Sequence, residues 1–157
     1  MEITLLDSLK VSEVKLTYEP KVKVSERYKI NSSKDCNYLL TLFCYDLSTI
    51  EYKESFKVML LNNANKVLGV VNMSEGGTES AIVDIKQVAQ ACLLANATQA
   101  IISHNHPAGI LTPSTYDDMT TEKIKKALAL FDIKLMDHII VSPERKSYYS
   151  YSDEGKL

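Results

Sequence analysis

No run of apolar residues in this chain reaches the roughly 18 that a bilayer crossing needs, so no transmembrane helix is expected. The first ten residues, MEITLLDSLK, lack both the basic start and the apolar stretch of a secretory signal. A cytoplasmic location is therefore the expectation. Cysteine is scarce. Cys36, Cys44 and Cys92 are odd in number and not closely spaced, which is no disulfide framework. Each lies in an apolar, helix-like stretch and reads as a small buried hydrophobe. An excess of positive charge is missing too. A net charge of −2 and a pI near 5.9 do not give the basic footprint of a protein that neutralises many phosphates. Strong nucleic-acid binding is not expected. Lys21, Lys23, Arg27 and Lys29 make one small basic cluster, which reads as a solvated strand edge. There is no internal repeat and no low-complexity segment.

What is present suits one domain with one sizeable core: 157 residues, 45% of them hydrophobic. Residues 1–30 look extended and polar, an arm or edge element. Val14–Tyr18 alternates as a strand would, and Pro20 interrupts it. Ser32 or Ser33 can cap a helix through Asn37–Phe43. A strand over Glu54–Leu61, a turn at Asn62–Asn65 and a second strand over Lys66–Val71 make a hairpin. Gly76 and Gly77 mark a loop. Asp84 is a good cap for a helix through Val88, Ala91, Cys92 and Ala95, apolar on most faces and so expected to be well buried. Gln99–Ser103 reads as a short buried strand. A helix over about 114–131, a buried strand over Asp137–Val141 and a last one near Ser147–Tyr149 complete the chain. Strands and helices interleave, which predicts an α/β domain with a mixed β-sheet flanked by helices.

The informative segment runs from Ser103 to Asp117. Two of the three histidines, His104 and His106, lie two residues apart, and alternate residues of an extended chain point the same way. Both imidazoles can therefore reach one ion. They stand where a buried strand ends, before Pro107 and Gly109 turn the chain. Asp117 begins the stripe Asp117, Thr121, Ile124, Leu128 on the following helix, whose lower part is apolar and should face the core. A carboxylate there calls for a cation. Two His and one Asp leave a coordination position open, as catalytic zinc sites do. Ser114–Asp117 is equally a helix-capping pattern, and a cap can also orient a ligand.

Residues 54–157 resemble the RadC-type branch of the JAB/MPN+ (JAMM) metalloprotease superfamily. The resemblance rests on Glu54, then His104-Asn105-His106-Pro107, then Ser114-Thr115-Tyr116-Asp117. Thr112-Pro113-Ser114, Asp137-His138-Ile139-Ile140-Val141 and the closing run from Tyr149 to Gly155 add the RadC flavour. Ala108 stands where RadC-like proteins usually carry Ser, at a position that is no ligand. The helical region that precedes the domain in full-length RadC proteins has no counterpart in this sequence. The resemblance implies a three-layer JAB/MPN fold of the cytidine-deaminase-like kind over residues 31–157, opened by the helix from about Ser33. It implies a zinc ion held by His104, His106 and Asp117, with an activated water as nucleophile. Glu54 would be the general base, and Ser114 would hydrogen-bond the oxyanion.

Glu51, Glu54, Glu75 and Glu79 compete for the role of base. Glu54 shares the parity of Phe56, Val58 and Leu60, opposite to Lys57. Glu51 should point elsewhere, and Glu75 and Glu79 flank the glycine loop, solvated or facing substrate. Asp118 reads as solvated, and Asp137 is undecided. His138 is either a core residue, which is favoured, or a donor behind the ligands. The leading function is a peptidase or isopeptidase acting on a peptide or protein. A DNA-repair-associated factor or nuclease is the alternative, and a metal-free interaction module comes third.

Overall fold

The computed structural model describes residues 11–76 and 81–157. The expectations on residues 1–10, Gly77 and Glu79 lie outside them. Five strands form one sheet: β1 Ser55–Leu61, β2 Val67–Glu75, β3 Gln99–Asn105, β4 Lys134–Val141 and β5 Tyr148–Ser150. Their order is β2-β1-β3-β4-β5. Only the β3–β4 pair is parallel, and the other neighbours run antiparallel. The helices are α1 Ser33–Leu39, α2 Ile85–Leu94 and α3 Thr115–Ala129. The expected mixed sheet flanked by helices is what forms.

The caps are where the sequence puts them. Ser32 accepts the Asp35 N–H at 3.1 Å, Asp84 accepts the Lys86 N–H at 2.9 Å, and Ser114 caps α3. The turn at Asn62–Asn65 closes through Asn65, whose φ of 59° suits asparagine better than most residues.

Alternation along β1 divides the core into two clusters. Phe56, Val58 and Leu60 join Ala100 and Ile102 of β3 beneath Val88 and Cys92 of α2 and Ile124 and Leu128 of α3. Met59 and Leu61 join Ile101, Ile139 and Val141 beneath Cys36 and Leu40 on the α1 side. The result is three layers, with β1 buried along its whole length. Lys57, the one charge in that strand, lies over the Tyr45 ring at 4.8 Å and donates to Asn72 Oδ1 at 3.1 Å.

Several expectations change. Val14–Tyr18 is not a strand. Residues 18–30 instead run beside edge strand β2, with Tyr18 donating to the Leu68 carbonyl and Val67 N–H to that of Tyr28. The basic cluster is thus not a strand edge, although Lys29 forms a single bridge to Lys66. Helix α1 does not run unchanged to Phe43: from Leu40 to Cys44 it widens into a π turn that Tyr45 N–H closes on the Leu40 carbonyl. Helix α2 is not buried all round. Val88 and Cys92 are, but Leu93 and Leu94 are 46% and 41% exposed, because an outer-layer helix has only one face to pack. Cys36 and Cys92 are buried as expected, whereas Cys44 is only partly covered. Among the described residues no helix is long and apolar enough to cross a membrane.

Candidate functional site

Strand β3, the turn after it and α3 make a β-α unit leading into parallel strand β4. The carboxyl end of β3 therefore meets the amino end of α3, the edge at which sites gather in such folds. His104 follows Ala100 and Ile102 in parity, so its ring enters the layer under α2 and α3. The strand extends two residues beyond its expected end, through Asn105. His106 then opens a tight turn, in which Gly109 donates back to the His106 carbonyl with φ of 78°, a conformation glycine adopts without strain.

Three side chains converge at this end. His104 Nε2 and His106 Nε2 are 2.9 Å apart. Asp117 Oδ1 is 3.2 Å from His104 Nε2, and Oδ2 is 3.5 Å from His106 Nε2. His104 and Asp117 are buried, and His106 is partly so. The group could hold a metal ion.

The hydrogen-bond partners test that fit. The second nitrogen of His106, Nδ1, faces the Ile110 carbonyl at 2.5 Å, and a carbonyl can only accept. Nδ1 of His106 therefore carries a proton, which leaves Nε2 as the nitrogen that can offer an ion its lone pair. Beside it lies a carboxylate. Two ring nitrogens and a carboxylate meeting at one point want positive charge among them, protons in the absence of a metal ion or the ion itself, so the residues fit. Burial opposes the charge on Asp117, but bonds from His104 and then His106 outweigh it and hold the carboxyl far below its usual range. Asp117 in turn raises the pKa of His106, against the effect of burial, with smaller help from the Ile110 carbonyl and from Glu54.

Ser114 and Asp117 also form a full capping box. Ser114 N–H and Oγ–H donate to Asp117 Oδ2 at 2.7 and 2.8 Å, and Asp117 N–H returns to Ser114 Oγ at 3.1 Å. Capping leaves Oδ1 facing His104. The two readings of this tetrad coexist, one on each carboxylate oxygen.

Glu54 precedes β1 at the same end of the sheet and is partly buried. Its Oε1 accepts the Ala81 N–H at 3.2 Å, and its carbonyl accepts Gly76 N–H. Glu75 is drawn away from the site, paired with Lys53 and accepting from Asn72. Glu51 is exposed and lines a cleft with Pro107, Ala108 and Glu144.

Asn105 takes a part that sequence reasoning did not assign, and His138 takes both of the parts left open for it. Asn105, between the two histidines, points to the opposite face and is fully buried. Its Oδ1 accepts the Ser55 N–H at 2.8 Å, and its Nδ2 donates to the Ile50 and Lys53 carbonyls at 2.9 Å each. It thereby clamps the chain on both sides of Glu54. His138 is buried as favoured, but it also touches the site: its Nε2 is 2.8 Å from His104 Nδ1. Burial first, and then the His104 ring, keep its pKa well below that of free imidazole. Asp137 faces the other way. It accepts from the His138 and Ser152 N–H groups and from Ser150 Oγ, which fastens the C-terminal turn. Asp118 is half-exposed, yet it accepts the Tyr151 hydroxyl at 2.8 Å.

Comparison with known proteins agrees with this geometry. The family model described as RadC-like JAB domain matches residues 30–156. A UPF0758 protein of Flavobacterium johnsoniae is 41% identical over 81% of this chain and 53% of its own length. Those of Porphyromonas gingivalis and Thermotoga maritima are 30% and 32% identical, over 88% and 84% of this chain and 59% and 58% of their own lengths. The chain thus spans little more than half the length of these curated relatives. With the family model covering residues 30–156 and the His-His-Asp group in place, this chain belongs to the RadC-like JAB domain family.

Proposed function

We propose that the chain is a zinc-dependent hydrolase that cleaves an amide bond, as a peptidase or isopeptidase. Family and site together support a metal-dependent hydrolase. The observation that carries the finer reading is the convergence of two imidazole nitrogens and a carboxylate at the end of β3, with Glu54 two residues before Phe56, the β1 partner of His104. His104, His106 and Asp117 would hold the ion. A zinc ion there supplies a Lewis acid, which acidifies water and polarises a carbonyl. Nitrogen ligands favour zinc over magnesium or calcium, which prefer oxygen.

The protein's own groups do the rest. Glu54 takes a proton from the attacking water and returns it to the leaving amine. Its backbone is held by the Asn105 clamp, which limits where the carboxylate can go. Ser114 gives up its bond to Asp117 Oδ2 and donates to the developing oxyanion.

The test is metal analysis of protein purified without chelator, followed by a peptide-library cleavage screen with Glu54→Gln beside the parent. One zinc per chain is expected, with cleavage in the parent. Glu54→Gln should keep fold and metal but lose at least about a hundredfold in turnover, the usual worth of a general base. No zinc uptake, uptake unchanged in His104→Ala, or full activity in Glu54→Gln would each defeat the proposal. Hydrolysis of DNA in place of any peptide would move the chain to the nuclease reading.

A further inference from the structure

We infer that Thr121 and His138 are positioning residues: they form a one-way hydrogen-bond relay that fixes the tautomer and ring orientation of His104 and ties it to the helical turn carrying Asp117. The inference rests on the metal-dependent reading for its purpose, but its geometry does not.

The relay can be deduced proton by proton. Thr121 Oγ1 lies 2.6 Å from the Asp117 backbone carbonyl, which can only accept. The single hydroxyl proton of Thr121 is therefore spent there. Thr121 Oγ1 also lies 2.6 Å from His138 Nδ1, and in that contact it must accept. So Nδ1 of His138 carries a proton. His138 is buried to 1% exposure, and among the described residues no carboxylate hydrogen-bonds to its ring, so the imidazole is neutral and its Nε2 is bare. His104 Nδ1, 2.8 Å from that Nε2, must then donate. This leaves Nε2, the atom that faces Asp117 and His106, as the nitrogen from which His104 can offer a lone pair to an ion. Each assignment forces the next, from a backbone carbonyl to the Nδ1–H of His104.

The ring of His138 is also prevented from turning over, a motion that would put carbon where each nitrogen is. It stacks on Tyr151 with centroids 4.8 Å apart and planes 9° apart, and Phe56 meets it edge-on at 6.1 Å. Tyr151 is itself anchored to Asp118, so α3 grips both ends of this arrangement. Phe56 lies parallel to the His104 ring at 6.4 Å. The two histidine ligands thus differ in support: His106 is held by a loop carbonyl, and His104 by side chains reaching through the core. Partners behind a ligand of this kind are worth about 10- to 100-fold in metal affinity.

The test has one arm that needs neither metal nor mutation. Long-range proton–nitrogen correlation spectra of the metal-free, ¹⁵N-labelled protein report which nitrogen of each histidine is protonated. Nδ1 of both His104 and His138 is expected to carry a proton. Finding either Nδ1 bare overturns the relay. The second arm compares Thr121→Val with Thr121→Ser by chelator competition for zinc. The relay predicts about a 10- to 100-fold loss of affinity in the valine variant and less than about threefold in the serine variant, which keeps the hydroxyl. Equal affinities in both, with unchanged tautomers, would overturn it. Should the parent protein fail to take up zinc, the metal reading falls while the tautomer spectra still decide the relay.

Discussion

Replacing Asn105 by alanine should cost this domain more than most buried polar substitutions. The side chain is fully buried and ties β3 to the start of β1 and the segment before it: it serves the Ser55 N–H and the Ile50 and Lys53 carbonyls at 2.8 to 2.9 Å. Truncation leaves those three backbone groups without a partner in a site that an alanine does not fill. Each stranded group costs about 1–3 kcal/mol, and water entering the space offsets part of it, so a net loss of about 3–5 kcal/mol is expected. For a chain of this size that is a fall in Tm of roughly 10 °C. Asn105→Asp sharpens the test. It keeps the shape and can still accept from Ser55, but it turns a carboxylate oxygen toward two carbonyls, so it should be no better than alanine. Circular dichroism melts and urea titrations measure both. Zinc affinity should stay within about fivefold, because His104 and His106 face the other side of the strand, whereas turnover should fall as Glu54 loses its hold. A loss of less than about 1 kcal/mol in Asn105→Ala, or a parent-like Asn105→Asp, would refute the clamp.

Three further outcomes are expected. Chelation should lower the melting temperature while the far-ultraviolet spectrum stays folded, because both apolar clusters pack without the metal-facing side chains, and a ligand at a hundred times its Kd adds only about 2.7 kcal/mol; loss of helix on chelation would make the site structural. Burial raises the pKa of Asp137 despite three hydrogen bonds, so the folded state holds that proton more tightly than the unfolded state. Stability from this group is then full below its ordinary value of about 3.9 and falls as pH rises through the raised value. Asp137→Asn, whose amide can serve the same three neighbours, should lack that decline, and parallel urea-midpoint profiles for the two proteins would count against it. Affinity of this chain for duplex DNA should be weak at physiological salt, given its net charge of −2; sub-micromolar binding with a steep salt slope would revive the DNA-processing reading.

Where a local rule governs, the sequence is readable. The caps at Ser32, Asp84 and Ser114 depend on residues two or three positions away, and they form as expected. Strand and helix limits drift where tertiary pairing decides. Strand β2 runs on to Glu75, not Val71, because β1 supplies a ladder as far as Ser55. Val14–Tyr18 has the alternation of a strand but forms no ladder, so pattern alone did not make it one. Helix α2 misled for a related reason. Its many apolar residues suggest burial on all faces, yet the sheet beneath can cover only one of them.

The site divides along the same line. Placing His104, His106 and Asp117 together needs only strand parity, a turn and a helix start, all within fourteen residues of sequence. The role of Asn105 was hidden because two of its three partners are carbonyls and the other is an N–H, some fifty residues away, and backbone groups leave no trace in residue identity. His138 was harder still. Its identity as a histidine is plain, but its contact with His104 depends on the β3–β4 register, in which Ile102 pairs with His138 and His104 with Ile140. That register includes a one-residue bulge in β4, where Met136 is passed over opposite Ala100 and Ile101, which local pattern does not announce. One residue of slip would turn His138 toward α1 and bring Asp137 or Ile139 under Thr121 in its place. A carboxylate there would press a charge on the back of His104, and an isoleucine would leave Nδ1 without a partner. The bulge is therefore as much a part of the site as the ligands, since it brings a neutral imidazole to the one place where His104 needs an acceptor.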